Sequence, residues 1–270
     1  MNMEHYKLKI DFLMESGPAP SSMVLVPQHA RRDQKLYTLH SITTGLEYIH
    51  NSETVHRDLH GGNILIVRNF SVLCDLGLSR SSIESAKDAQ GDSEIYGVVP
   101  YVAPEIFEGK KYTMASDVYS FGMIMWEFMN GRRPFCDKKH DAELIVEICD
   151  GLRPSIVTNA PIGYIELMRE CWDHDPLKRP VAAEITKRIN DMWEFERKAA
   201  TEIYRNCEIG PTRLKHPEAI YTSRLLSGLI KSAMFVMSIK SLKNQSVTSI
   251  TSNNNALGKY YMLKESLMII

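Results

Sequence analysis

A mainly α-helical fold carrying one small pair of β-strands is what this sequence predicts. Three features lead there: apolar residues recurring every three or four positions after Asp33, a long, almost continuous apolar run over residues 113–129, and two short β-rich segments separated by residues 68–71. The first two patterns bury one face or several faces of a helix, and the third suits a local strand pair.

Residues 1–32 carry the weakest pattern, with a candidate strand at 8–14 followed by the breaker cluster Gly17-Pro18-Ala19-Pro20-Ser21-Ser22. From Asp33, the residues Leu36, Leu39, Ile42, Leu46 and Ile49 mark one buried helical face. Ile64-Leu65-Ile66-Val67 and Val72-Leu73-Cys74 read as the strand pair, which sets Asp75 just beyond the second strand. Residues 79–96 are polar and aperiodic and read as a loop. The 113–129 helix is stopped by Asn130-Gly131, and its apolar character predicts burial on several sides. Helices over 142–149, 162–172 and 181–193 follow, punctuated by Gly151, Pro154, Pro161, Pro176 and Pro180. Residues 244–255, rich in Ser, Thr and Asn, read as a flexible tail. This divides the chain into a poorly defined segment 1–32, a lobe over 33–200 and a C-terminal tail 201–270.

The 270 residues suffice for a sizeable core. A formal net charge of -1 excludes bulk attraction to nucleic acid or to an anionic membrane, so no nucleic-acid partner is expected. Five cysteines without C-x-x-C spacing suggest neither a zinc site nor a disulfide framework, which fits a reduced cytoplasmic (intracellular) compartment. The apolar run 225–239 is broken by Lys231 and flanked by Arg224 and Lys240, so no membrane span is expected. Packing on the lobe or disorder is the expectation there, and Met123, Met125 and Met129 are read as core.

The chemistry is concentrated in His56-Arg57-Asp58-Leu59-His60-Gly61-Gly62-Asn63, which fits H-R-D-L-x-x-x-N. Asp75-Leu76-Gly77, Ala103-Pro104-Glu105, Asp117-Val118-Tyr119-Ser120-Phe121-Gly122, Cys171-Trp172 and Arg179-Pro180 follow in order. Together they resemble the C-terminal lobe of a eukaryotic protein kinase over residues 33–200, most closely the tyrosine-kinase-like group. No G-x-G-x-x-G loop and no V-A-I-K lysine stands ahead of the catalytic loop. The chain therefore resembles a kinase with its N-terminal lobe largely missing, residues 1–32 being a remnant of the last strand and hinge.

The resemblance implies ATP and Mg2+ as cofactors and a protein hydroxyl as acceptor. Asp58 would accept the hydroxyl proton, while Asn63 and Asp75 would hold magnesium through hard oxygens and, through it, the nucleotide. His56 would be a packing residue beneath the metal-binding motif. Arg57 would receive a phosphate from the activation segment, whose candidate acceptors are Ser79, Ser81, Ser82, Ser85, Ser93 and Tyr96; a solvated surface arginine is the alternative. Glu105 and Arg179 would form a buried ion pair, and Asp117 would hold the catalytic-loop backbone, the alternative being an exposed first-turn carboxylate.

Leu76 replaces the usual phenylalanine of D-F-G but keeps an apolar plug. His60 stands where serine/threonine kinases carry lysine, Val98 where they carry threonine, and the A-A-R of tyrosine kinases is also absent, which leaves hydroxyl specificity open. Two function classes follow: a protein kinase, or a pseudokinase acting as a scaffold or binding module, with a partial gene product as a third possibility. An uncovered apolar surface around Leu76 and His56 is expected to favour self-association or a protein partner.

Overall fold

The computed structural model describes residues 31–67, 70–81, 94–156, 160–199 and 215–241. The expected strand at 8–14, the loop residues Ser82, Ser85 and Ser93, and the tail at 244–255 lie outside the described residues.

Helix α1 (Arg32–Asn51) follows the predicted period, and Leu36, Leu39, Ile42, Leu46 and Ile49 are all fully buried. Each such side chain contributes about 1.5–3 kcal/mol on leaving water. Arg31 N–H donates to Gln34 Oε1 (3.1 Å) at the helix start, and Asp33 in the first turn suits the helix dipole. The helix runs into strand β1 (Thr54–Val55), which leads straight to the loop over 56–63.

Strands β2 (Ile64–Val67) and β3 (Phe70–Leu73) form the expected antiparallel pair, with Ile64 opposite Leu73 and Val67 opposite Phe70. Phe70 and Ser71, read from sequence as connection, belong to the second strand; main-chain pairing carries the ladder two residues beyond the β-branched run. Strand β4 (Arg80–Ser81) pairs with β1, and β5 (Tyr96–Gly97) begins the segment that returns to the lobe.

After the short helix α2 (Pro104–Phe107), α3 (Met114–Asn130) forms the central post. Thr113 N–H donates to Ser116 Oγ (3.1 Å) at its start, and Gly131 in the left-handed region (φ 63°) ends it, as Asn130-Gly131 predicted. Phe121, Met123, Ile124 and Met125 are fully buried, with Met129 partly so. Gly122 permits close approach of α5 (Tyr164–Cys171), since a Cβ there would lie 3.0 Å from Cys171 Cβ. Helices α4 (Ala142–Cys149) and α6 (Ala182–Ala199) complete the bundle, and α6 lies along α1 with the Tyr37 and Trp193 rings 5.2 Å apart.

Beyond the predicted lobe, strand β6 (Arg224–Leu225) pairs with β5, and residues 227–241 form a helix, α7. Leu226, Ile230 and Ala233 bury one face of this segment on the lobe, while Met234, Phe235 and Val236 are exposed. Packing is thus the correct reading of this apolar run. No helix among the described residues is long and apolar enough to cross a membrane.

Candidate active site

The site is assembled on two anchors beneath the loop over 56–63. The first is Asp117 in the first turn of α3. Its Oδ2 accepts from His56 N–H (2.8 Å) and lies 3.0 Å from His50 Nε2, and its Oδ1 accepts from Arg57 N–H (3.0 Å). These bonds hold Arg57 at φ 72°, a left-handed conformation that costs a non-glycine residue about 1–3 kcal/mol. Asp117 is buried, not an exposed first-turn carboxylate.

The second anchor is Glu127, buried on the same helix and bonded by Tyr101 Oη (2.6 Å). Burial pushes its carboxyl above the usual value, opposed by the Tyr101 hydrogen bond and by the charges of Arg133 and His60. The loop passes so close that a Cβ on Gly61 would meet Glu127 Oε2 at 2.5 Å. Only glycine fits there without displacing the carboxylate.

Between the anchors, Asp58 is almost fully buried. Asn63 Nδ2 donates to the Asp58 main-chain oxygen (2.8 Å) and lies 3.4 Å from its Oδ2, which ties the two ends of the loop together. Burial opposes ionisation of Asp58, but His60, the Ser223 hydroxyl and the His56 charge together hold its carboxyl below the usual value. His60 Nε2 stands 3.8 Å from Asp58 Oδ2, too far for a hydrogen bond, so it acts through its field. Its Nδ1 accepts from Gly62 N–H (3.0 Å), which leaves the ring proton on the Nε2 nearest Asp58.

Asp75 is exposed, follows β3 directly and adopts φ 59°, with Oδ1 accepting from Gly77 N–H (3.3 Å). Cys74 N–H donates to the Asn63 main-chain oxygen at 2.8 Å, so Asn63 and Asp75 rise from the same end of the β2–β3 pair. With its amide nitrogen engaged, Asn63 has its amide oxygen to offer a cation. No cluster of three or more His, Cys, Asp or Glu suited to a metal exists among the described residues. Two hard oxygen donors fit magnesium, which is commonly bound by one or two side chains together with substrate phosphates.

The remaining predicted residues fall as follows. His56 is fully buried with neither ring nitrogen hydrogen-bonded, in keeping with packing. It therefore adds nothing to the expected apolar surface, and Leu76 is itself partly buried against the core. Arg57 has its guanidinium 4.8 Å from the Tyr112 ring centre, and Tyr112 Oη donates to the Tyr96 main-chain oxygen (3.0 Å). Tyr96 donates to Glu94 Oε2 (2.9 Å), which raises its phenol pKa. Ser93 lies outside the described residues. Glu105 and Arg179 form a two-pronged pair, Nη1 to Oε1 at 2.6 Å and Nη2 to Oε2 at 2.8 Å, nearly sealed from solvent.

Three site residues escaped sequence reasoning: Glu127, His60 and Ser223. His60 was visible only as a departure from lysine. Ser223 carried no signal, because its place beside Asp58 depends on the long-range β5–β6 pairing.

Asp58, on a loop braced from α3, and the oxygen-bearing side chains of Asn63 and Asp75 stand in the order that the resemblance to a kinase lobe implies. A family model described as protein tyrosine and serine/threonine kinase matches residues 3–189. The chain belongs to the protein kinase family. A serine/threonine-protein kinase/receptor of Acanthamoeba polyphaga mimivirus is 34% identical over 161 residues, covering 58% of this chain and 9% of that protein. A protein kinase and PP2C-like domain-containing protein of Arabidopsis thaliana is 27% identical over 221 residues, covering 70% and 33%. A dual specificity protein kinase of Dictyostelium discoideum is 33% identical over 154 residues, covering 55% and 29%. The chain thus spans only 9% to 33% of the length of these relatives.

Proposed function

We propose that this chain, through its lobe over residues 33–200, transfers the ATP γ-phosphate to a protein hydroxyl. The observation that carries the reading is Asp58, held below its usual pKa on a loop braced by Asp117 and Asn63. Asp58 accepts the acceptor hydroxyl's proton, and burial keeps bulk water from competing for it. Bound magnesium would neutralise phosphate oxygens, with Asn63 and Asp75 as its protein ligands. His60 takes the place of the usual lysine and keeps a proton-bearing nitrogen near Asp58. Arg57 and Tyr112 tie the loop to the segment holding Tyr96, where a phosphate would find a cation. The serine/threonine and dual-specificity names of the relatives support serine or threonine as the principal acceptor.

The partner is a protein substrate, in a cytoplasmic signalling setting. Exposed Met234, Phe235 and Val236 offer a surface for self-association, which sedimentation velocity reads directly; a monomer at high concentration contradicts it. A second reading, a pseudokinase or scaffold binding module, is favoured by one observation: residues 1–55 contain neither a G-x-G-x-x-G loop nor a V-A-I-K lysine. Incubation with magnesium, γ-labelled ATP and pooled serine, threonine and tyrosine peptides separates the two. Label in any pool supports the kinase, and none in all three supports the binding module.

A further inference from the structure

The segment after the lobe turns at 217–218, bends at 222 and passes beside Asp58, with Arg224–Leu225 extended. His140 N–H donates to the Glu218 main-chain oxygen (3.1 Å), and Tyr221 Oη donates to that of Pro134 (2.8 Å). The Tyr221 ring is buried between His140, edge-on at 4.8 Å, and the Arg133 guanidinium at 4.9 Å. Arg224 Nη2 then donates to the His140 main-chain oxygen (2.6 Å) while its backbone pairs with Gly97. Leu226 N–H donates to the Ile95 main-chain oxygen (2.7 Å), and Ile95 N–H to Ser227 Oγ (3.2 Å).

Gly97 lies at the meeting point of this strap and the catalytic carboxylate. A Cβ built on it would stand 3.7 Å from Leu226 Cδ1 and 3.9 Å from Asp58 Oδ1. One residue ahead of the paired strand, Ser223 lies near enough to Asp58 for its hydroxyl to help hold that carboxyl below the usual value, and its neighbour Arg224 pairs with Gly97 beside Asp58 Oδ1. Ser223 is itself exposed, so a donor arriving from solvent can reach the hydroxyl whose proton Asp58 would take. Tyr221 two residues before and Leu226 three residues after are both buried, which fixes the register in which Ser223 is presented. Main-chain pairing supplies affinity, and pockets for alternate side chains supply specificity, as for any peptide added to a strand edge.

Building on the kinase reading, we propose that residues 221–227 occupy the acceptor groove as the chain's own substrate peptide, with Ser223 as the phosphoryl acceptor. In the step, the Ser223 Oγ–P bond forms while the bond from the γ-phosphorus to its bridging oxygen breaks. The nucleoside diphosphate leaves, and the hydroxyl proton passes to Asp58. The same geometry gives the substrate class for other proteins: a serine peptide with an aromatic residue two positions before and an aliphatic one three positions after the acceptor.

Two measurements on the full chain test this. In the first, a fluorescent peptide copying residues 216–230 is titrated into wild type and into Leu226→Asp, whose charge expels the strap; circular dichroism checks folding, and Leu226→Ala serves if the aspartate variant unfolds. The variant should bind the peptide at least tenfold more tightly, because its groove is open. Equal affinities would overturn the proposal. In the second, the chain is incubated with magnesium and ATP beside the pooled peptides, and phosphosites are mapped. Ser223 phosphate at a rate independent of chain concentration, lost in Ser223→Ala, supports the proposal. Labelled pools with an unmodified Ser223 overturn it while leaving the kinase reading intact. Absence of label everywhere defeats the kinase reading and Ser223 as an acceptor together, and the peptide titration then decides groove occupancy alone.

Discussion

Replacing Glu105 by alanine removes one half of the most enclosed ion pair among the described residues. Arg179 keeps bonds from Nη1 to the Ala115 oxygen (2.9 Å) and from Nε to the Asp173 oxygen (2.8 Å). Its Nη2 is left only the His174 oxygen at 3.4 Å, while the side chain has no exposed area. A guanidinium stranded in this way costs about 3–5 kcal/mol. At about 2–4 °C per kcal/mol for a domain of this size, the melting temperature should fall by about 6–20 °C. Denaturant unfolding of wild type, Glu105→Ala, Arg179→Met and the double variant closes the cycle. The double variant should recover much of the loss, since no charge is then left unpaired. A Glu105→Ala cost below about 1 kcal/mol, or a double variant as unstable as the sum of the singles, would refute the reasoning.

Asp117→Asn leaves one acceptor oxygen for the three groups now served, so at least one loop N–H loses its partner. The expected cost is about 1–3 kcal/mol in denaturant unfolding, with a fall in transfer rate as Arg57 relaxes from its left-handed conformation. The Glu127 carboxyl is shifted in the opposite direction from that of Asp58. Because folding raises its carboxyl pKa, the folded state loses stability as pH rises from the unfolded value, 4.5, through the folded one. Glu127→Gln keeps an acceptor for Tyr101 and should flatten that part of the stability–pH curve; an unchanged curve in urea titrations across the range would contradict the assignment.

The helices were legible because burial imposes its period on the residues that carry it, as in Leu36 to Ile49 on α1 and the apolar post of α3. The loop over 56–63 was legible for a different reason, since it matches H-R-D-L-x-x-x-N position by position and Asp75-Leu76-Gly77 follows in order. What the sequence hid depends on contacts far apart in the chain. Nothing local to Ser223 shows that it meets Asp58, and the pairing of Tyr96 with Leu225 joins segments with no shared pattern. Gly61 offers no clue to its necessity until Glu127 is found against it. His56, expected near an open surface, is sealed because the loop folds over it onto Asp117.

The measurement that tests the central claim most directly is transfer of labelled γ-phosphate to a serine peptide by wild type and Asp58→Asn, purified side by side and matched for folding by circular dichroism. Asparagine preserves the shape of the side chain but cannot take the hydroxyl proton. The account predicts transfer by wild type and a loss of about 10²–10⁴-fold in the variant. Equal rates in the two preparations would contradict it.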